Sequence, residues 1–429
     1  MKRSMNRSAL ALVAALAVAA PLGAQTIAIT GGKVYPVSGP PIEGGTVLMR
    51  DGKIVAVGKD IAIPAGAERV DATGKWVTPG LVNASTNLGF GDVGFSGGPR
   101  EQTAKGHDGI AAGFQVWLGF NTQSVMIAPA REGGVTSAVV APTGGLVSGQ
   151  AAIVDLNGAL ALTDVLVKAP ATMVAQVEDN DDAKVGATGE LIGALRDLIE
   201  DTKAYMRRKS DFERAQTRQF VATRRDLEAM IPVVEGRESL TIYADQAAEI
   251  REALSIAKDY GIKIVIAGGA EAWTMADKIA AAKVPVLTGA ENNIPGSFNT
   301  LGSRQENAGM LRKAGVQVAL IGNGAGGEEM FNVRNLRYEA GNAVAYGMSW
   351  DDALRAITLV PAEIYGVSDK VGSLKAGLEG NVVIWSGDPF EFSTRAEQVF
   401  VRGKKIDAPS RQDMLAKRYQ SLPPKYNTP

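Results

Sequence analysis

The sequence predicts an α/β fold, with strand–helix units in its middle and β structure at both ends. Three observations point there. Between residues 134 and 360, apolar strand-like runs alternate with helical periodicity. Residues 26–77 and 372–406 read instead as short strands separated by turns. The 429 residues include 50 glycines and only 6% aromatics, which suits many tight strand–helix turns. This pattern alone fits a closed barrel and a doubly wound open sheet almost equally well.

The elements follow in chain order. Lys2, Arg3 and Arg7 precede an apolar run, 9–20, that is too short to span a bilayer. Leu22-Gly23-Ala24 before Gln25 has the small residues of a cleavage site. Residues 1–24 are therefore expected to be a signal peptide, and the mature chain, 25 onward, to be periplasmic or secreted. The absence of Cys removes a lipid-anchor signal, disulfides and thiolate chemistry. Thr26-Ile27-Ala28-Ile29-Thr30 alternates, and Asp51-Gly52-Lys53 is a hairpin signal. These runs assign 25–78 to a β-rich first part. Residues 134–142 form a buried strand, 247–260 a helix and 262–266 a strand. Residues 284–287 form another strand, followed by a helix over 305–314 and a strand over 316–321. Residues 335–347 and 350–359 are helical. The stretch near 186–230, with Arg207-Arg208-Lys209 and Arg224-Arg225, reads as a charged, solvated helical insertion. Residues 371–407 return to β structure, and 408–429 form a Pro-containing polar tail.

Composition excludes some partners. Hydrophobic residues make up 45% and charged residues 21%, as in a soluble globular protein. A net charge of −1 gives no electrostatic case for nucleic acid or an anionic membrane.

One stretch carries the strongest motif: Pro79-Gly80-Leu81-Val82-Asn83-Ala84-Ser85-Thr86-Asn87. It resembles the opening barrel strand of the amidohydrolase superfamily, Pro-Gly-(Leu/Phe)-(Ile/Val)-Asp-x-His-x-His. The resemblance continues through 135–150, which is similar to the second-strand region of imidazolonepropionase-like amidohydrolases, where a Ser-Gly-Gln loop (here Ser148-Gly149-Gln150) follows the strand. It extends to Thr358-Leu359-Val360-Pro361-Ala362-Glu363-Ile364-Tyr365-Gly366, similar to Thr-x-x-Pro-Ala-x-x-(Leu/Phe)-Gly, and to the closing strands after Gly372-Ser373-Leu374. It implies a TIM-like (β/α)8 barrel over 79–370 and a small β-sandwich formed by both chain ends. It also implies hydrolysis of carbon–nitrogen bonds in non-peptide or cyclic amides, supported by Zn or another divalent metal.

The ligand positions depart from that pattern. The two strand-one histidines are Ser85 and Asn87, and the preceding Asp is Asn83. Tyr243, in Thr241-Ile242-Tyr243-Ala244-Asp245, stands at a third ligand and Gly268 at a fourth. Asn323 replaces the catalytic Asp, and an amide cannot accept a proton at neutral pH. Before Val382 the usual Ala-Asp is Gly380-Asn381. The single histidine, His107, lies in a polar loop context. A metal site needs several His or carboxylate ligands converging, so no cofactor is expected. Ser85, Asn87, Tyr243, Asp245 and Asn323 are expected to line a polar cleft at the barrel mouth. Ser85, Ser148 or Tyr243 would have to supply any nucleophile or acid, with no partner base evident. Two acidic runs, 178–182 and 326–329, read as solvated loops, with hard-cation binding as the alternative for the first and carboxylates directed into the cleft as the alternative for the second. The expected roles are an amidohydrolase-type hydrolase with doubtful catalysis, or a pseudoenzyme. The latter would bind a small molecule, self-associate or pair with an intact relative. A metal-independent chemistry in the same cleft is the third.

Overall fold

The structure, a computed structural model, describes residues 25–92, 101–177, 187–290, 295, 298–322, 332–407 and 409–420. The strands are β1 (Thr26–Val34), β2 (Ile42–Arg50), β3 (Lys53–Gly58), β4 (Glu68–Asp71), β5 (Trp76–Pro79), β6 (Leu81–Thr86), β7 (Val135–Val140), β8 (Val147–Asp155), β9 (Leu166–Gln176), β10 (Leu240–Ala244), β11 (Ile264–Gly268), β12 (Val286–Thr288), β13 (Val318–Leu320), β14 (Val382–Trp385), β15 (Ala396–Val401) and β16 (Lys404–Lys405). The helices are α1 (Ile127–Glu132), α2 (Leu162–Val165), α3 (Thr188–Arg207), α4 (Lys209–Glu213), α5 (Arg224–Val234), α6 (Ala247–Tyr260), α7 (Ala276–Ala282), α8 (Asn307–Lys313), α9 (Leu336–Ala345), α10 (Trp350–Ala356), α11 (Leu359–Ile364) and α12 (Arg411–Tyr419).

Both chain ends build one sheet, in the order β16-β15-β14-β5-β1-β2-β3, with β4 also paired to β1. Its alternating strands place Ile27, Ile29, Val47, Met49, Ile384 and Phe400 in a common core. The β2–β3 hairpin turns at Asp51 and Gly52, both at positive φ (51° and 83°), as a tight hairpin turn requires. Hydrogen bonds join all eight strands into one sheet, so the expected sandwich takes the form of a single sheet shared by the two ends.

The second sheet runs β13-β12-β11-β10-β9-β8-β7-β6, an eight-stranded, nearly closed barrel. Its inner face is aliphatic, with Val82, Val139, Ile153, Val174, Val265 and Leu287 among the residues in contact. The barrel departs from a strict (β/α)8 repeat. β8 is antiparallel to both β7 and β9, while the other neighbours are parallel. The reason is length. Only residues 141–146 join β7 to β8, and Gly144 and Gly145 turn the chain at φ 88° and 70°. A parallel return would need a crossover of about a dozen residues. Ser148-Gly149-Gln150 is therefore part of strand β8, not a loop after the strand.

β13 comes back beside β6, and their facing edges are bridged by chain from elsewhere. The Val82 N–H donates to Ile357 O at 2.8 Å. The Tyr365 hydroxyl donates to Ala84 O at 2.9 Å. Backbone groups on this buried edge thus find partners in the α10–α11 segment, which floors the barrel.

The charged stretch after β9 is not a solvated excursion. α3 buries Leu191, Ile192, Leu195, Leu198, Ile199 and Tyr205 in the layer outside the barrel. Most of its charges lie on the outer face, but Asp201 is buried and paired with Arg218, and Asp226 of α5 accepts the Gly113 N–H at 2.9 Å. The tail residues 411–419 form α12, none of whose side chains is buried. Among the described residues no helix is long and apolar enough to cross a membrane. The expected signal peptide, 1–24, lies outside the described residues.

A buried polar joint fastens the sheet to the barrel. Asp155 accepts hydrogen bonds from Ser137 Oγ (2.6 Å), Arg402 Nε (2.6 Å) and Asn381 Nδ2 (3.2 Å). Asn381 Oδ1 in turn accepts the Arg402 N–H at 2.8 Å.

Candidate functional site: the barrel mouth

The site forms where barrel strands end, at the face that loops leave free for chemistry. In β6, Val82 and Ala84 belong to the inner core and Leu81 to the outer layer. Simple alternation would turn Ser85 outward. Instead the register against β7 slips between Asn83 and Thr86. Asn83 Oδ1 accepts the Ser85 N–H at 3.0 Å across this irregularity. Such a slip re-aims the following side chain. Ser85 Oγ then meets Tyr243 OH at 2.7 Å, a hydrogen bond from β6 to β10. Tyr243 packs on the inner core, whereas Leu240, Ile242 and Ala244 face the outer layer.

The other expected residues are arranged around this pair. Asn87 Nδ2 donates to Ala141 O at 3.0 Å, tying the mouth of β6 to the end of β7. Asp245 follows β10 and accepts the Ala270 N–H at 3.1 Å. Gly268 ends β11 at φ 84°, and a Cβ there would stand 2.5 Å from Asp245 Oδ1. The missing side chain at 268 is thus the space that Asp245 uses. Asn323 lies outside the described residues, as do the acidic runs 178–182 and 326–329. His107 is on an exposed loop, its Nδ1 3.3 Å from Asp108. Ser148 is buried, and its hydroxyl has no hydrogen-bond partner among the described residues.

The mouth beside α6 is acidic. Glu249 accepts the N–H groups of Asp245 (2.9 Å) and Gln246 (3.0 Å), and Glu271 accepts that of Ala247 at 2.8 Å. Burial pushes the Glu249 carboxyl up. Its two backbone hydrogen bonds oppose that shift, and the neighbouring Asp245 and Glu271 charges add to it. Among the described residues, no three or more His, Asp or Glu side chains gather as a metal-binding group.

Tyr365 is the residue that sequence reading missed. It is buried in the inner core, and burial raises its hydroxyl pKa strongly. Its signal was available, since it places a hydroxyl where the resembled segment carries Leu or Phe.

Comparison with known proteins fits this geometry. Residues 282–406 match the Amidohydrolase family. The imidazolonepropionase of Acidiphilium cryptum is 25% identical over 395 residues, covering 82% of this chain and 89% of that protein. The amidohydrolase from Thermotoga maritima superposes with a TM-score of 0.80 at 27% identity, covering 89% of this chain and 100% of that one. These likenesses support the amidohydrolase superfamily for this chain. Its likeness to imidazolonepropionases recurs with that of Mesorhizobium japonicum, 23% identical over 370 residues, covering 80% of this chain and 87% of the relative. Phenylurea hydrolase B shares the fold, with a TM-score of 0.57 at 16% identity.

Proposed function

We propose that this amidohydrolase-superfamily chain is a metal-independent, ligand-binding protein of the periplasm that no longer performs the superfamily's metal-assisted carbon–nitrogen hydrolysis. The observation that carries the reading is the Ser85–Tyr243 hydrogen bond at 2.7 Å. Two positions that the resemblance assigns to metal ligands here hold hydroxyls bonded to each other. The remaining donors do not fit a zinc centre either. Asn87 spends its amide N–H on Ala141 O, and position 268 has no side chain. Neutral hydroxyl and amide groups are poor zinc ligands beside imidazole and carboxylate. What the cleft can do is hydrogen-bond. The Ser85 and Tyr243 hydroxyls can each donate or accept, and the Asp245 carboxylate is an acceptor. That set suits a small polar molecule such as a cyclic amide, the class to which an imidazolone belongs. Pairing with an intact amidohydrolase is the second form of the same reading, favoured by a retained scaffold without ligands.

The test is metal analysis of the mature chain purified from zinc-supplemented medium, beside the double variant Ser85→His/Asn87→His. The wild type is expected to carry far less than one zinc per chain. It should not turn over imidazolonepropionate, and it should bind cyclic amides in a manner weakened by Tyr243→Phe. One tightly held zinc per wild-type chain would overturn the proposal. Amide hydrolysis without metal would replace it with a Ser85- or Tyr243-based chemistry.

A further inference from the structure

The floor of the barrel holds a second titratable cluster, remote from the mouth. Glu238 sits in the turn between α5 and β10. It is only 9% exposed, and its Oε1 has no hydrogen-bond partner among the described residues. The opposite charge that acts on it most strongly is Lys168 of β9, but Lys168 Nζ donates to Tyr365 O at 2.7 Å and makes no ion pair among the described residues. Four other charged groups surround the two. Arg237 is paired with Glu235, Lys370 donates to Val167 O at 2.9 Å, and Lys263 and Asp369 act on Lys168 at longer range. None supplies Glu238 Oε1 with a hydrogen bond.

We propose that Glu238, Lys168 and the Tyr365 carbonyl form a proton-operated latch on the barrel floor. With Glu238 neutral, the Lys168 ammonium stays on Tyr365 and holds the end of α11 in place. When Glu238 ionises, a buried carboxylate without a partner is costly. The flexible Lys168 side chain then turns to it and leaves Tyr365 O. Burial sets the range, pushing the Glu238 carboxyl up to about 7 against the opposing pull of Lys168 and Arg237. Release at the floor reaches the mouth through Tyr365. Its hydroxyl holds Ala84 O, one residue before Ser85, and its ring belongs to the inner core on which Tyr243 packs. The latch goes beyond the ligand-binding reading and does not depend on it.

Hydrogen–deuterium exchange of peptides covering 359–371 tests it, between about pH 6 and pH 8, with rates corrected for intrinsic exchange. In the wild type, protection should fall about tenfold across this range, the scale of one lost hydrogen bond to a charged group. Glu238→Gln should remain protected throughout. Lys168→Met should be poorly protected at every pH. A flat wild-type profile, a step that persists in Glu238→Gln, or a step that persists in Lys168→Met would each overturn the latch. Far-ultraviolet circular dichroism of each variant separates a folded, unlatched protein from an unfolded one.

Discussion

Asn381→Asp is the most demanding test of how the two halves of this protein are joined. Asn381 is buried, and its Nδ2 lies 3.2 Å from both Asp155 Oδ1 and Ser137 Oγ. The substitution keeps the shape and the Oδ1 acceptor for the Arg402 N–H. It replaces the amide donor with an oxygen facing a buried carboxylate. Two charges at that separation repel by ~5 kcal/mol at an effective dielectric constant of about 20. The cheaper outcome is that the introduced carboxyl folds protonated and donates to Asp155 as the amide did. Holding that proton at pH 7, against an unfolded pKa of about 3.9, costs ~4 kcal/mol at about 1.36 kcal/mol per pH unit. The cost falls to ~1.5 kcal/mol at pH 5. Urea unfolding followed by tryptophan fluorescence, at both pH values, measures this directly. A variant within ~1 kcal/mol of wild type at pH 7 would refute the reasoning, as would a deficit that does not shrink on acidification. The resembled family pattern carries Asp at this position, so the amide here is the counterpart of Asp155 across the joint.

Two further outcomes follow from buried groups. Glu238 is raised from 4.5 to about 7 on folding, so the folded state binds its proton more tightly than the unfolded state does. That contribution to stability is fully present below about pH 4.5 and is lost as pH rises through about 7, a span of ~3 kcal/mol. Glu238→Gln should flatten this part of the stability–pH curve, and equal slopes in the two proteins would contradict it. At Gly268, alanine must adopt φ near 84° and displace Asp245 from 2.5 Å. A loss of ~1–3 kcal/mol is expected in thermal unfolding, and none would mean that Asp245 moves freely.

Much of the fold is legible in the sequence because barrel strands and helices have different periods. α6 can be read from its Ile250, Leu254 and Ala257 spacing, and β11 and β13 from their continuous apolar runs. β8 reads as a loop because it is buried along its whole length and shows no alternation. The turn residues Pro142-Thr143-Gly144-Gly145 are the better guide to a hairpin. α3 misleads by its charges, most of which sit on one face while the other face is core, Asp201 being the buried exception. At the site, the residues lost from the ligand pattern are visible one by one. Their contact is not. The Ser85–Tyr243 bond depends on the slip in β6 that Asn83 supports, and residue order alone does not reveal an irregularity of that kind.

The stapled seam beside β6 has a consequence for assembly. Ala84 meets its partner Tyr365 across 281 residues of sequence. A growing chain that has already produced all eight barrel strands therefore still has an open, adhesive edge at β6. That edge is covered only when the α10–α11 segment arrives. Barrel formation is then a late and slow event, since contacts of such long range must wait for the loop between them to close. A chain shortened before residue 365 would lose more than its last helices, because it would leave the first barrel strand permanently free to pair with another molecule.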